Sequence, residues 1–375
     1  MAQVFKLVFV ALLIAQSQAS ILRSIFADDS CQGRCNVTGT VPGAPCQCNT
    51  ACVRYDDCCP DYYSLCLGQT GSCVGRCDQS GTVPGTCQCN KPCVDFGDCC
   101  PDYSDVCQPT DGVSDRELED LGEELLGLDT ESNAASYIQL DLQGKTSSGS
   151  SQDVAPLPLM TVASAAYTRP TIQKLLALHD IYDANVNIGE AYSAAEEAKI
   201  NDFLDAIFAT PIMQRAQDFL ASKNLPNGRS NFYELWFGLF SRGNGALGSC
   251  GLEHVLMAEL RGTDNVLGFH NWVFYALEEA ASRVNYRGWM ETVDLGSKGS
   301  IIEHNFVWQN TNKPVSSMFV GTSPELELAL YTVCFYARSG AKCGVKLNGQ
   351  VVKIQTYTSG SRGQFVGTAY PDLSG

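Results

Sequence analysis

Eight cysteines recur near the start of the chain in almost one spacing: Cys31, Cys35, Cys46, Cys48, Cys52, Cys58, Cys59 and Cys66, then Cys73, Cys77, Cys87, Cys89, Cys93, Cys99, Cys100 and Cys107. Only the loop between the second and third cysteines differs, by one residue. Such a repeat marks two copies of one structural unit. Each copy is about forty residues long and holds few Leu, Ile or Val, too little apolar area to offset the entropy of ordering the chain. Cross-links that constrain the unfolded state compensate, and an even cysteine count in an exported segment fits that need. Zinc is the competing use of clustered cysteines. Neither copy, however, has a histidine or a paired C-x-x-C spacing, the pattern that tetrahedral sites favour. Spacing does not choose among the many pairings that eight cysteines allow.

An export signal precedes the repeat. Val4 to Ala15 is apolar except for Lys6, and Ser17 and Ala19 are small residues before a cleavage point, so 1–19 reads as a signal peptide. The segment is too short to span a bilayer, no later apolar run is long enough, and no hydrophobic tail ends the chain. The mature chain, starting near Ser20, is expected to be secreted and extracellular, with no transmembrane segment.

The strings CQGRC, CQCNTAC and DDCCPDYYSLC, then CVGRC, CQCNKPC and GDCCPDYSDVC, resemble the somatomedin B domain family. The resemblance covers both copies, at 27–68 and 69–110. It implies compact disulfide knots that recognise an extracellular protein partner and do not catalyse. Arg54, Tyr55 and Asp56, with Asp95 and Phe96, would form the contact loops. Asn36 in Asn-Val-Thr is the one glycosylation sequon.

Residues 111–375 read as a single α+β domain. Asp111 to Glu131 holds nine acidic residues against Arg116 alone, yet Leu118, Leu121, Leu125 and Leu128 give it a helical stripe. A Ser/Gly-rich stretch follows before about Val162, with KTSSGSSQD as its most flexible-looking point. Helices are expected at IQKLLALHDIY, SAAEEAKINDFLDAIFA, PIMQRAQDFLASK, NFYELWFGLFSR and NWVFYALEEAASR. After Gly296 short β-like runs take over, among them IIEHNFVWQ, KPVSSMFVG, LYTVCFYAR, KCGVKLNGQVVKIQTYT and QFVGTAYP. Helices followed by strands indicate α+β. No G-x-S-x-G elbow, phosphate loop or His-Glu-x-x-His helix occurs, which removes common hydrolase and nucleotide-binding classes.

Only four histidines are present: His179, His254, His270 and His304. His254 and His270 lie sixteen residues apart in GLEHVLMAEL and GFHNWVFYALEE. Two imidazoles near neutral pKa can act as general base and general acid, and a nearby cation can stabilise charge building on a phosphate between them. That set suits cleavage of RNA by its own 2′-hydroxyl.

SCGLEHVLMAELRG, GFHNWVFYALEE, KPVSSMFVGTSPELELALYTVCF and FVGTAYP together resemble the EndoU family of uridylate-preferring endoribonucleases, over about 118–375. The resemblance implies cleavage of single-stranded, uridine-containing RNA to 2′,3′-cyclic phosphate ends. It assigns catalysis to His254, His270 and Lys313, with His270 as base and His254 as acid. It places Ser317 and Tyr370 against uracil, with Thr368 beside them. Glu253 and Glu259 match acidic positions that orient a histidine or attract a metal, and Mn²⁺ activation is implied without a spacing that defines its site. The alternative is a non-enzymatic extracellular adhesion or RNA- or protein-binding protein on the same scaffold.

Cys334 and Cys343 flank an expected hairpin and are expected to pair, leaving Cys250 as a buried thiol. The formal charge of −16 opposes a polyanion partner, but after Ala329 five basic residues face one acidic, a strip able to meet RNA. A monomer is the favoured state.

Overall fold

The computed structural model describes residues 112–243 and 245–373, and before them 31, 32, 34, 35, 41, 44, 46–49, 52, 59, 66, 87–89, 93, 98–100 and 103. The signal segment, Asn36, Cys58, Cys73, Cys77, Cys107 and the expected contact loops lie outside the described residues. The chain divides into two compact units, Met1–Pro109 and Thr110–Gly375.

Among the described residues of the first unit, the buried clusters of both modules are mostly cysteine. Disulfides join Cys31 to Cys48, Cys35 to Cys66 and Cys46 to Cys59 in one copy, and Cys87 to Cys100 and Cys93 to Cys99 in the other. Cys46–Cys59 and Cys87–Cys100 are equivalent positions of the repeat, so the two copies share a pairing. The sulfurs of Cys31, Cys48 and Cys59 come within metal-ligand reach of one another, but all three are oxidised.

The second unit runs α1 (Asp115–Leu128), β1 (Ile138–Leu140), β2 (Met160–Val162), α2 (Pro170–Leu176), α3 (Ala194–Phe208), α4 (Pro211–Ser222), α5 (Arg229–Phe237) and α6 (Gly251–Leu256). It continues with β3 (Ala258–Arg261), β4 (Asn265–Gly268), α7 (Trp272–Ala280), β5 (Val284–Asp294), β6 (Ser300–Trp308), β7 (Thr311–Val320), α8 (Pro324–Ala337), β8 (Lys342–Leu347), β9 (Gln350–Ser359) and β10 (Phe365–Asp372). Two antiparallel three-stranded sheets, ordered β5-β6-β7 and β10-β9-β8, share one hydrophobic core with the helices. No helix among the described residues is long and apolar enough to cross a membrane.

The helix starts follow from local chemistry. Ser114 and Ser193 close capping boxes with Glu117 and Glu196, and Pro211 follows the Thr210 cap. In α1 the leucine stripe buries Leu118, Leu121, Leu125 and Leu126, and three of its acids reach basic residues elsewhere in the domain. Glu117 pairs with Lys223, Glu124 with Arg215 and Asp115 with Arg338.

Several expectations are corrected. LYTVCFYAR lies in α8, not in a strand. Ser323 accepts from the Leu326 amide and Pro324 occupies the first turn, and the helix is buried on nearly every side, so no polar face marks the helical period. Cys334 and Cys343 do pair, but across a helix-to-strand turn and not a hairpin. Strands also begin before Gly296, because β3, β4 and β5 precede it. IQKLLALHDIY is helical only to Leu176, and NFYELWFGLFSR only to Phe237, where Gly238 adopts extended backbone. KTSSGSSQD is pinned to β5 and β6: the Thr146 amide donates to Trp289 O (2.8 Å), and Asn305 Nδ2 donates to Ser150 O (3.0 Å).

α1 packs along β8 with no room for a side chain at Gly122, where a Cβ would lie 2.7 Å from the Lys346 carbonyl oxygen. Gly122→Ala is expected to cost about 1–3 kcal/mol through overpacking, read as a lower urea midpoint with an unchanged slope.

Candidate active site

The two histidines meet because the chain doubles back. His254 lies on α6, whose Cys250 cap accepts from the Glu253 amide and whose Gly251 has Val366 where a side chain would be. The β3–β4 hairpin then returns to α6. At its end Gly268 has φ +64°, and a Cβ there would overlap the His254 carbonyl oxygen, so only glycine fits. The next amides close the approach: Phe269 N–H donates to His254 O (3.1 Å) and His270 N–H to Val255 O (3.0 Å). Phe269 itself sits at φ 72°, fully buried against Phe274, Tyr275, Phe306 and Trp308. A non-glycine residue in this region costs on the order of 1–3 kcal/mol and persists only when packing over-determines it. The two imidazoles end with ring centroids 6.3 Å apart.

Their second nitrogens meet different partners. Nδ1–H of His254 donates to Glu259 Oε2 (2.6 Å), and the same oxygen takes Arg242 Nε at 2.8 Å. Arg242 is held in turn by Ser249 Oγ (2.9 Å), the Gly367 carbonyl (2.8 Å) and the Phe240 ring. Burial raises the Glu259 carboxyl, but His254 and Arg242 outweigh that and hold it below its usual range. On His270, Nδ1 faces the Ser317 carbonyl (2.9 Å) and Ser316 Oγ (3.3 Å). Ser316 donates its hydroxyl proton to Phe269 O (2.9 Å), and a carbonyl only accepts, so Nδ1 carries the proton and Nε2 keeps a lone pair. Burial pulls His254 down to about 4, against the pull of Glu259. Burial, then Lys313 and His254, hold His270 well below the usual imidazole range.

β7 supplies the remaining groups. Lys313 donates to Val266 O (3.2 Å), and burial lowers its ammonium to about 8. Its charge reaches both histidines. Ser317, buried, donates its hydroxyl to the Pro371 carbonyl, which ties β7 to β10. Tyr370 stacks on His270 at 5.0 Å and 21°, and burial first, then Tyr357, pushes its phenol up to about 12. Thr368 shares the face of Tyr370 two residues along, with a buried hydroxyl that has no partner among the described residues.

The structure therefore brings His254, His270, Lys313, Ser317 and Tyr370 together. Glu259 reaches His254. Glu253 does not: it is buried, both its oxygens lack donors among the described residues, and burial raises its carboxyl well above the usual range. His304 is a core residue packed among Tyr275, Tyr286 and Phe306, and His179 packs on Phe274. Sequence reading missed Arg242 and Ser316, because an arginine in a Ser/Gly loop carries no local mark of the carboxylate it meets. For Mn²⁺, which prefers several oxygen donors, Glu259 uses Oε2 for His254 and Arg242 and has only Oε1 without a partner among the described residues. Among the described residues, no group of three carboxylates or imidazoles converges within ligand reach. The residues present do not form a metal nest.

A family model described as Endoribonuclease XendoU matches residues 117–371, and a Somatomedin B domain model matches 29–69 and 71–110. The chain is 38% identical over 363 residues to a uridylate-specific endoribonuclease of Paralichthys olivaceus, covering 92% of this chain and 94% of that one. It is 32% identical over 357 residues to a uridylate-specific endoribonuclease of Mus musculus, covering 92% and 78%. The solved structure of XendoU, a splicing independent snoRNA processing endoribonuclease, superposes with a TM-score of 0.59 at 32% identity, covering 69% of this chain and 97% of that one.

Arg242→Met would leave Glu259 buried with its charge under-compensated, at an expected cost of about 3–5 kcal/mol. Adding Glu259→Gln removes that charge, so the double variant should regain part of the loss in urea denaturation. Equal stability of the single and double variants would refute the coupling.

Proposed function

The chain belongs to the Endoribonuclease XendoU family and is an endoribonuclease, and from that premise we propose that it cleaves single-stranded RNA at uridines to leave 2′,3′-cyclic phosphate ends. The observation that carries this reading is the His254–His270 pair, 6.3 Å apart between ring centroids and differently backed. Nε2 of His270 takes the 2′-hydroxyl proton, and the 2′-oxygen attacks phosphorus. His254 gives a proton to the departing 5′-oxygen, so the products are a cyclic phosphate and a 5′-hydroxyl. His270 is the base because no carboxylate supports its imidazolium. His254 is the acid because Glu259 stabilises its second proton once a phosphodiester anion lies beside it. Lys313 offsets the charge that builds on the phosphorane oxygens.

Uracil preference follows from the same groups. With its proton given to Pro371 O, Ser317 Oγ offers lone pairs to the uracil imide N–H, and cytosine has no donor there. Tyr370 supplies a π face beside the base, and Thr368 a hydroxyl without a partner among the described residues. Mn²⁺ enters only as an activator, with oxygens mostly from RNA and water, and no step runs through it. The same proposal includes secretion after removal of 1–19, a glycan on Asn36, a monomer, and an extracellular protein partner for the somatomedin B modules. Extensive disulfide pairing supports the extracellular setting.

The test is cleavage of matched oligonucleotides with and without one uridine, with and without Mn²⁺, and identification of the product ends. His254→Ala and His270→Ala should each lose about 10²–10⁴-fold in rate, and Lys313→Ala about 3 kcal/mol of the chemical step. Unchanged cleavage in either histidine variant would sink the mechanism.

Lys313 is charged below about pH 8 and neutral above it. An arginine stays charged throughout this range. The ratio of kcat/KM for Lys313→Arg over wild type should therefore rise as pH passes 8, and a flat ratio would show that Lys313 does not lose a catalytically required charge in this range.

A further inference from the structure

The face of the β8–β9–β10 sheet that presents Tyr370 continues past it, and we propose that this face carries the RNA strand beside the cleaved uridine, with Tyr357 stacking on the neighbouring base. This rests on the reading of Tyr370 as the aromatic that meets uracil.

Directly paired residues of antiparallel strands share a face. Tyr370 pairs with Gln355 and Gln355 with Lys342; Thr368 pairs with Tyr357, and Asp372 with Lys353. Ile354 and Thr356, which alternate with them on β9, are fully buried on the core side, so Tyr370, Tyr357, Lys342 and Lys353 line the other side together with Gln355, which its neighbours cover. Tyr357 is 49% exposed and is the one aromatic among the exposed large hydrophobics of the described residues. Tyr357 lies diagonally across the β9–β10 pair from Tyr370, opposite Thr368. A second π face therefore stands next to the first, open to solvent.

Charge points to the same occupant. Of the five basic residues after Ala329, Arg338 is turned to Asp115. Lys342 bridges Asp372 at 2.8 Å, neutralising the only acid of this stretch. Lys346 pairs across from Val351 on the same face as Lys353, and neither lysine is in an ion pair among the described residues. Lys353 stands two residues along β9 from the position opposite Tyr370 and Lys346 lies one further step out, opposite Val351, so cations extend the aromatic face away from the reacting centre, an arrangement that fits a single strand alternating phosphate and base.

Two substrates separate the outcomes: an oligonucleotide with one uridine flanked by purines, and a uridine 3′-aryl phosphate that has no second base. Tyr357→Ala is expected to lower kcat/KM on the oligonucleotide about 5- to 100-fold, chiefly through KM, and to leave the aryl ester unchanged. Tyr357→Phe should retain the wild-type value. An abasic residue at the flanking position that stacks should abolish the difference between Tyr357→Ala and wild type. Lys353→Ala should flatten the salt dependence on the oligonucleotide alone. Wild-type kinetics in Tyr357→Ala, or an equal loss on both substrates, would overturn the inference. If wild type cleaves neither substrate, the functional reading itself fails.

Discussion

One backbone approach organises the site. Gly268 passes so close to the His254 carbonyl that no side chain fits, and the amides of Phe269 and His270 then bond to carbonyls of α6. Two residues sixteen apart in the chain are thereby joined through peptide groups, which are far stiffer than side chains. The left-handed backbone at Phe269 is retained because its ring is packed on several sides by aromatics of α7 and β6. The tight core is thus what keeps two imidazoles at a separation that brackets a phosphodiester.

Both histidines are buried, and burial alone would make them equivalent neutral bases. What distinguishes them is the group behind each ring. A carboxylate backs His254 and is itself held by Arg242, whereas a peptide carbonyl backs His270. A carboxylate favours a second proton and a carbonyl only orients the first. Arg242 also bonds the Gly367 carbonyl of β10, and Ser317 bonds the Pro371 carbonyl, so the groups on either side of the site are tied to one strand. Buried Glu327, bonded by Thr322 and by the Asn271 cap of α7, steadies the residue that follows His270.

The α+β class and most of the helices were legible in the chain because they depend on local signals, whereas the histidine–lysine set was named from the family resemblance. Ser193 and Glu196 make a cap within one turn, and Pro211 marks a helix start. Helix α8 was not legible, since a helix buried all round shows no polar stripe and its Val, Cys, Phe and Tyr run resembles a strand. Glu253 and Glu259 looked alike in one motif. Only packing showed that one meets a histidine while the other lies buried without a donor among the described residues.

Sequence by itself determined that two cysteine-built modules precede an α+β endoribonuclease domain, and which chemical groups that domain has available, because spacing and residue identity are properties of the chain alone. Tertiary structure decided which second nitrogen meets a carboxylate, which acids stay inside the domain, and that lysines scattered over β8 and β9 share a face with Tyr357 and Tyr370. Strand register and helix packing set those relations, and residue identity alone does not state them.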